Sequence, residues 1–164
     1  MIGRYLIVPD ESSVEMSASS SLHPIRSRTN GLEGWLDFGA ETTGHLELAV
    51  DRLRSGNPLE DREMRRRVDA RRFPTITGDL TGLAPAGDDG HFTVRGDVTF
   101  RGVTRTYEGE MTITAVDDDT IRLEGSHTFD VRDFGMEPPR ILLLRVHPDV
   151  AVTVEIVARA MMPR

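Results

Sequence analysis

The densest group of chemically capable side chains is the stretch HTFDVRDFGMEPP, His127 to Pro139. Two carboxylates flanking an arginine, Asp130 and Asp133 around Arg132, with a histidine three residues upstream, is a residue set that acid–base catalysis uses. The same spacing also describes how a strand stops. Phe129 and Val131 share one face, charge gathers at the end, Gly135 turns the chain, and Pro138-Pro139 cannot donate to a ladder. Arg132 held between two carboxylates then closes the strand. No nucleophile motif or cofactor loop stands nearby, so the stretch reads as architecture. The enzyme rival would use His127, Asp130 or His23 as acid or base on a substrate in an internal cavity.

The other candidates are weaker. The five histidines, His23, His45, His91, His127 and His147, show neither His-x-His nor His-x-x-x-His spacing, so no single element presents a metal-binding pair. His127 and His147 would face each other only across a final hairpin turning near Pro138-Pro139. Asp117-Asp118-Asp119 lacks the alternation and distal Glu of a calcium loop and reads as a solvated turn. Arg65, Arg66 and Arg67, with Arg71 and Arg72, form the strongest charge cluster. They read either as a solvated helix face or as bidentate donors to an anionic head group.

The elements that would position these groups are strands. Val14, Met16 and Ala18 alternate with polar neighbours, as do Leu46, Leu48 and Val50, Phe92 to Phe100, Tyr107 to Ile113, and Ile121 to Val131. The longest run falls on even positions, from Leu142, Leu144 and Val146 through Val150, Val152, Val154 and Ile156 to Ala158. Asn30-Gly31, Ala86 to Gly90, Arg101-Gly102 and Asp117 to Asp119 separate the runs, with Gly102 supplying the positive φ of a tight hairpin. One segment, about residues 58–70, is helical. Asn57 is its N-cap, Pro58 fits N1, Glu60 stands at N3 as in a capping box, and Leu59, Met64 and Val68 form its buried stripe. Pro74 returns the chain to strand. About eight antiparallel strands and one short helix in residues 1–164 make a single all-β barrel domain with a plug or lid.

Bulk composition narrows the function. The chain has 164 residues, 38% of them hydrophobic, and a formal charge of −7, which argues against general affinity for nucleic acid or anionic membranes. All 20 basic residues are arginine, so lysine chemistry is excluded, and without cysteine so are disulfides and thiolate nucleophiles. No window approaches a transmembrane span and the start is too short for a signal peptide, so a soluble cytoplasmic protein is expected.

Three segments in order, NPLEDREMRRRVDARRFPTITGDLTGL, GDVTFRGVTRTYEGEMTI and HTFDVRDFGM, together with GRYLIVPDESSVEMSASSSLHPIRSRTNGLEGWLDF at the start, resemble the YceI-like family over nearly the whole chain. That resemblance implies an extended lipocalin-like antiparallel barrel whose interior binds a long isoprenoid or another lipid-like amphiphile, without catalysis and without a cofactor or metal. The expected pocket wall is Val14, Met16, Ala18, Trp35, Leu48, Phe100, Tyr107, Met111, Phe129, Val152 and Val154. Tyr107 or Trp35 would offer a polar handle, and Arg65, Arg66 and Arg67 would grip a head group. The expected partner is a hydrophobic small molecule, with a homodimer left open and an interaction scaffold as a further alternative.

Overall fold

The computed structural model describes residues 2–141 and 143–161. Its elements in chain order are β1 (Gly3–Ile7), β2 (Ser13–Ser20), β3 (Ile25–Asn30), β4 (Glu33–Phe38), β5 (Thr43–Ala49), α1 (Pro58–Val68), β6 (Thr75–Pro85), β7 (His91–Phe100), β8 (Val103–Ala115), β9 (Thr120–Asp130), β10 (Arg140–Ile141) and β11 (Leu144–Ala160). All pairings are antiparallel. The sheet runs β1-β4-β5-β6-β7-β8-β9-β11, and β11 returns to β1, so eight strands close a barrel. Closure removes the exposed strand edges that an open sheet would carry.

The first two strands form one interrupted path along β11. β1 pairs its last residues, Ala158 to Ala160, and β2 pairs Val146 to Glu155. Between them Pro9–Glu11 makes a single 3₁₀ turn, and Ser12 fills the gap. Its hydroxyl accepts from the Val157 N–H at 3.0 Å and donates to the Val157 carbonyl at 3.3 Å, in full burial. β3 and β4 form a second interrupted path, bent at the same level, where Gly31 N–H donates to the Pro9 carbonyl at 3.0 Å. Asn30-Gly31 is therefore a bend within one path rather than a hairpin turn. β2 and β3 thus extend beyond the closed wall as a two-stranded flap.

Two positions require glycine. At Gly34 (φ +145°) a Cβ would lie 1.8 Å from the His45 carbonyl, so only a bare backbone lets β4 approach β5. The β7–β8 hairpin turns through Arg101 and Gly102, both at positive φ, the geometry of a type I′ turn.

α1 is capped as its sequence predicts: the Asn57 carboxamide accepts from Leu59 N–H and Glu60 N–H. The reciprocal half of the capping box is absent, because the Asn57 N–H donates to Ser55 Oγ and Glu60 turns toward His23. Val68 packs with Val50 and Met136, with Met64 and Phe100 against them. Leu59, expected in the buried stripe, is instead 60% exposed, since Glu60 takes the inward position of that first turn. Leu142, the first residue of the long predicted run, lies outside the described residues. No described helix is long and apolar enough to cross a membrane.

Candidate functional site

Alternation sends one face of every barrel strand inward. At one end of the barrel these faces meet. Tyr5, Ile7, Ile121 and Ala158 are buried there, and Tyr5 stacks edge-on against Phe38 with ring centroids 5.6 Å apart. Toward the other end they do not meet, and a cavity of about 430 Å³ remains. Its wall is almost wholly aliphatic and aromatic. Val14, Met16, Ala18, Leu48, Phe100, Tyr107, Met111, Phe129, Val152 and Val154 all line it.

The space exists because several inward positions carry little or no side chain. Gly78, Gly96, Gly109 and Gly125 stand on the lining of four successive strands, with Ala18 on the flap. A Cβ on Gly109 would come within 3.6 Å of the His127 ring, and one on Gly125 within 3.5 Å of the Met111 methyl. The glycines therefore make room both for the cavity and for the larger side chains that shape it. These inward glycines are missing from the predicted pocket, which follows hydrophobic residues only. Their even spacing with the apolar positions of β6 to β9 is the signal that marks them.

The wall is not closed everywhere by backbone pairing. β9 pairs β11 along its whole length, but pairs β8 only between Ile121 and Gly125. Above that point side chains fill the seam. Tyr107, His127 and Phe129 pack edge to face at centroid distances of 4.6–5.4 Å, and Phe134 joins them. Tyr107 donates from its hydroxyl to Asp133 Oδ2 at 3.1 Å. Burial first, then that hydrogen bond, pushes the Tyr107 pKa up to about 12, so it stays a neutral phenol.

The stretch from His127 to Pro139 completes this seam. β9 ends at Asp130, Val131–Phe134 forms a 3₁₀ turn, and Gly135 closes it in the left-handed region. Phe134 and Met136 are buried beneath. Arg132 grips Asp130 alone, at 2.7–3.1 Å, while the Asp133 carboxylate and carbonyl are taken by Tyr107 and Arg105. The arginine is therefore not shared between two carboxylates. The hydrogen bonds from Arg132 hold the Asp130 carboxyl below its ordinary range. His127 and Asp130 are three residues apart on a strand and so face opposite ways. His147 is exposed and does not meet His127, whose cross-strand partner on β11 is Val152.

Two predicted contributions fall elsewhere. Trp35 lies outside the cavity, because Leu36 and Phe38 take the inward positions of β4; its ring instead carries the Arg4 guanidinium 4.1 Å from its centroid. None of Arg65, Arg66 and Arg67 lines the cavity, since Met64 and Val68 occupy the inward face of α1. Arg67 bonds Glu63 and Glu137, and Arg66 stands 3.9 Å from Glu63. The polar groups that do reach the cavity beside α1 are Ser27, Arg54, Ser55, Glu60 and Asp61. Ser55 donates to Asp61 Oδ1, and Ser27 Oγ accepts from Arg54 N–H. Among the described residues no buried side-chain nitrogen or oxygen lacks a partner, and no group of three or more metal-ligating side chains forms.

The fold recurs in solved structures. Burkholderia cenocepacia BcnA aligns with a TM-score of 0.80 at 16% identity, over 92% of this chain and 98% of that one. A polyisoprenoid binding domain from Saccharophagus degradans, implicated in plant cell wall breakdown, aligns at 0.78 and 14% identity, over 98% and 99%. A Campylobacter jejuni YCEI protein aligns at 0.66 and 17% identity, over 80% and 82%. No curated protein matches the sequence. The model of the YceI-like domain matches residues 5–158, and with a barrel closed in the same way the chain belongs to the YceI-like family.

Proposed function

We propose that this chain is a non-catalytic binding protein that holds a long-chain isoprenoid, or a similar lipid-like amphiphile, inside the barrel, with residues 1–164 acting as one unit. The observation that carries this is the cavity of about 430 Å³ with an apolar wall opened by inward glycines. That volume lies within the usual range for small-molecule sites. The similarity to a polyisoprenoid binding domain supports the ligand class.

The energetics favour a long chain. Each methylene moved from water into the cavity contributes about 0.8 kcal/mol. Association costs roughly 4–15 kcal/mol in lost freedom. About ten methylenes only begin to offset that, so a short acyl group would bind weakly. Among the described residues no fully buried side-chain donor or acceptor is unpaired, so none demands a particular head. Against catalysis stand the packing of His127 between Tyr107 and Phe129 and the commitment of Asp130 to Arg132.

Native mass spectrometry of freshly purified protein, followed by solvent extraction, tests the reading. A stoichiometric amphiphile of isoprenoid-like mass is the expected result. A clean apo mass that takes up no added prenyl lipid overturns it.

A further inference from the structure

Three elements border the cavity at its α1 end: the β2–β3 connection, the first turn of α1 and the β10–β11 hairpin. They and the residues directly adjoining them contribute Ile25, Glu60, Pro139 and Val146 to the lining. Each also carries one leucine turned to solvent: Leu22 is 71% exposed, Leu59 60% and Leu143 88%. Hydrogen bonds tie the β2–β3 connection to the β10–β11 hairpin, and a longer side-chain contact links that connection to α1. Ser21 N–H donates to the Arg145 carbonyl at 2.9 Å, and Arg145 N–H donates to Ser21 Oγ at 3.0 Å. His23 Nε2 lies 3.7 Å from Glu60 Oε2. Three exposed leucines thus stand on one rim of a lipid-sized cavity.

The same rim holds unneutralised positive charge. Arg140 and Arg145 are directly opposite in the β10–β11 ladder, an arrangement of like charges that a sheet does not favour by itself. Both are exposed, and so are Arg26, Arg54 and Arg62; none of the five forms an ion pair among the described residues. The nearby carboxylates are engaged: Glu60 faces His23, Asp61 takes Ser55, and Glu63 and Glu137 take Arg67. The opposite end differs. Ile2, Leu6, Val116 and Met161 are exposed at or near it, but its arginines, Arg4 and Arg159, are held by Asp37 and Glu11, and the cavity does not reach it.

We propose that the rim formed by Leu22, Leu59 and Leu143 with Arg140 and Arg145 docks on an anionic phospholipid surface and presents the cavity to it for lipid exchange. This rests on the cavity reading above. The net charge of −7 opposes general attraction to such a surface; local charge at the mouth orients the molecule on it. Exposed apolar side chains beside arginines are the pairing that interfacial binding uses.

Flotation with vesicles tests it. One set is phosphatidylcholine alone, and the other is two parts phosphatidylcholine to one part phosphatidylglycerol. The wild-type chain is expected to float with the anionic set. Leu22→Ser/Leu59→Ser/Leu143→Ser should lose binding on the order of a hundredfold, given the apolar area withdrawn. Arg140→Gln/Arg145→Gln should lose it by about thirtyfold, and added salt should weaken the wild type similarly. Val116→Ser, at the far end, should bind unchanged. The proposal is overturned if the wild type does not float, if the leucine variant floats equally well, or if Val116→Ser loses as much. A dimer in sedimentation velocity that the leucine variant abolishes would assign the patch to self-association and overturn it too. Flotation lost while a stoichiometric amphiphile is still extracted sinks docking alone. Leucine-dependent flotation of a protein that takes up no lipid sinks the cavity reading alone.

Discussion

At the end of the barrel where β1 meets β11, inward side chains from facing strands touch: Ile121 is 2% exposed and Ala158 fully buried. At the end beneath α1 the same alternation leaves a cavity, because Gly78, Gly96, Gly109 and Gly125 occupy inward positions. The wall changes character in parallel. β9 stays paired to β11 throughout, yet leaves β8 after Gly125, and an aromatic cluster fills the seam. One repeating pattern thus builds a packed floor and a hollow chamber, and the difference is side-chain volume at inward positions. Stability should therefore reside at the floor and binding in the chamber, a division that substitution can break.

The largest effect is expected at the floor. Ile121→Ala should lower unfolding free energy by about 2–5 kcal/mol, from lost transfer energy and the void left behind. Urea denaturation measures this. Lipid occupancy at saturating ligand should stay unchanged, because Ile121 does not line the cavity. A variant that keeps its stability but loses its ligand would erase the division between the two ends.

The joint between them is next. Ser12 stands where β11 changes partner from β1 to β2, and its hydroxyl pairs both backbone groups of Val157. Ser12→Ala leaves a buried N–H without a partner and should cost about 1–3 kcal/mol. Ser12→Thr keeps the hydroxyl and tests whether the hydrogen bond or the volume matters.

These two residues also show what the sequence makes legible. Alternation and turn residues mark the strands, the helix and its Asn57 cap, because those depend on neighbours in the chain. Which face of a strand is inside depends on register between strands. Trp35 and Leu36 are both apolar, and only the pairing of β4 with β1 and β5 turns Trp35 outward beneath Arg4. Ser12 looks like a loop serine until β1 and β2 are seen sharing one strand. Arg65 to Arg67 attract attention as a run, yet among the described residues it is Arg54, outside that run, that reaches the cavity. Long-range pairing decides each of these.

In the chamber, Gly78→Leu should do the reverse of Ile121→Ala. A Cβ at residue 78 would meet Leu46 at 3.9 Å, ordinary contact, so the backbone accepts a side chain that then occupies ligand space. Lipid occupancy in native mass spectrometry should fall on the order of tenfold, while stability shifts by less than about 1 kcal/mol. Unchanged occupancy would place the ligand outside this part of the chamber.

The smallest effect belongs to the outer wall. His45 on β5 bonds Asp79 Oδ1 at 2.6 Å and Glu47 Oε1 at 2.9 Å, and these bonds, Asp79 first, raise its pKa above 6.5. A raised folded pKa means that the folded chain holds the proton more tightly than the unfolded one. The contribution is therefore fully present below the unfolded value of about 6.5 and disappears as pH rises through the folded pKa. With partners half exposed to solvent it amounts to less than about 1 kcal/mol. Thermal unfolding between pH 5.5 and 8.5 should show a shallow decline in the wild type that His45→Gln flattens. A decline that survives the substitution would take the pH dependence away from the His45, Asp79 and Glu47 cluster. The outer wall would then be electrostatically silent, and packing alone would remain as the distinction drawn between floor and chamber.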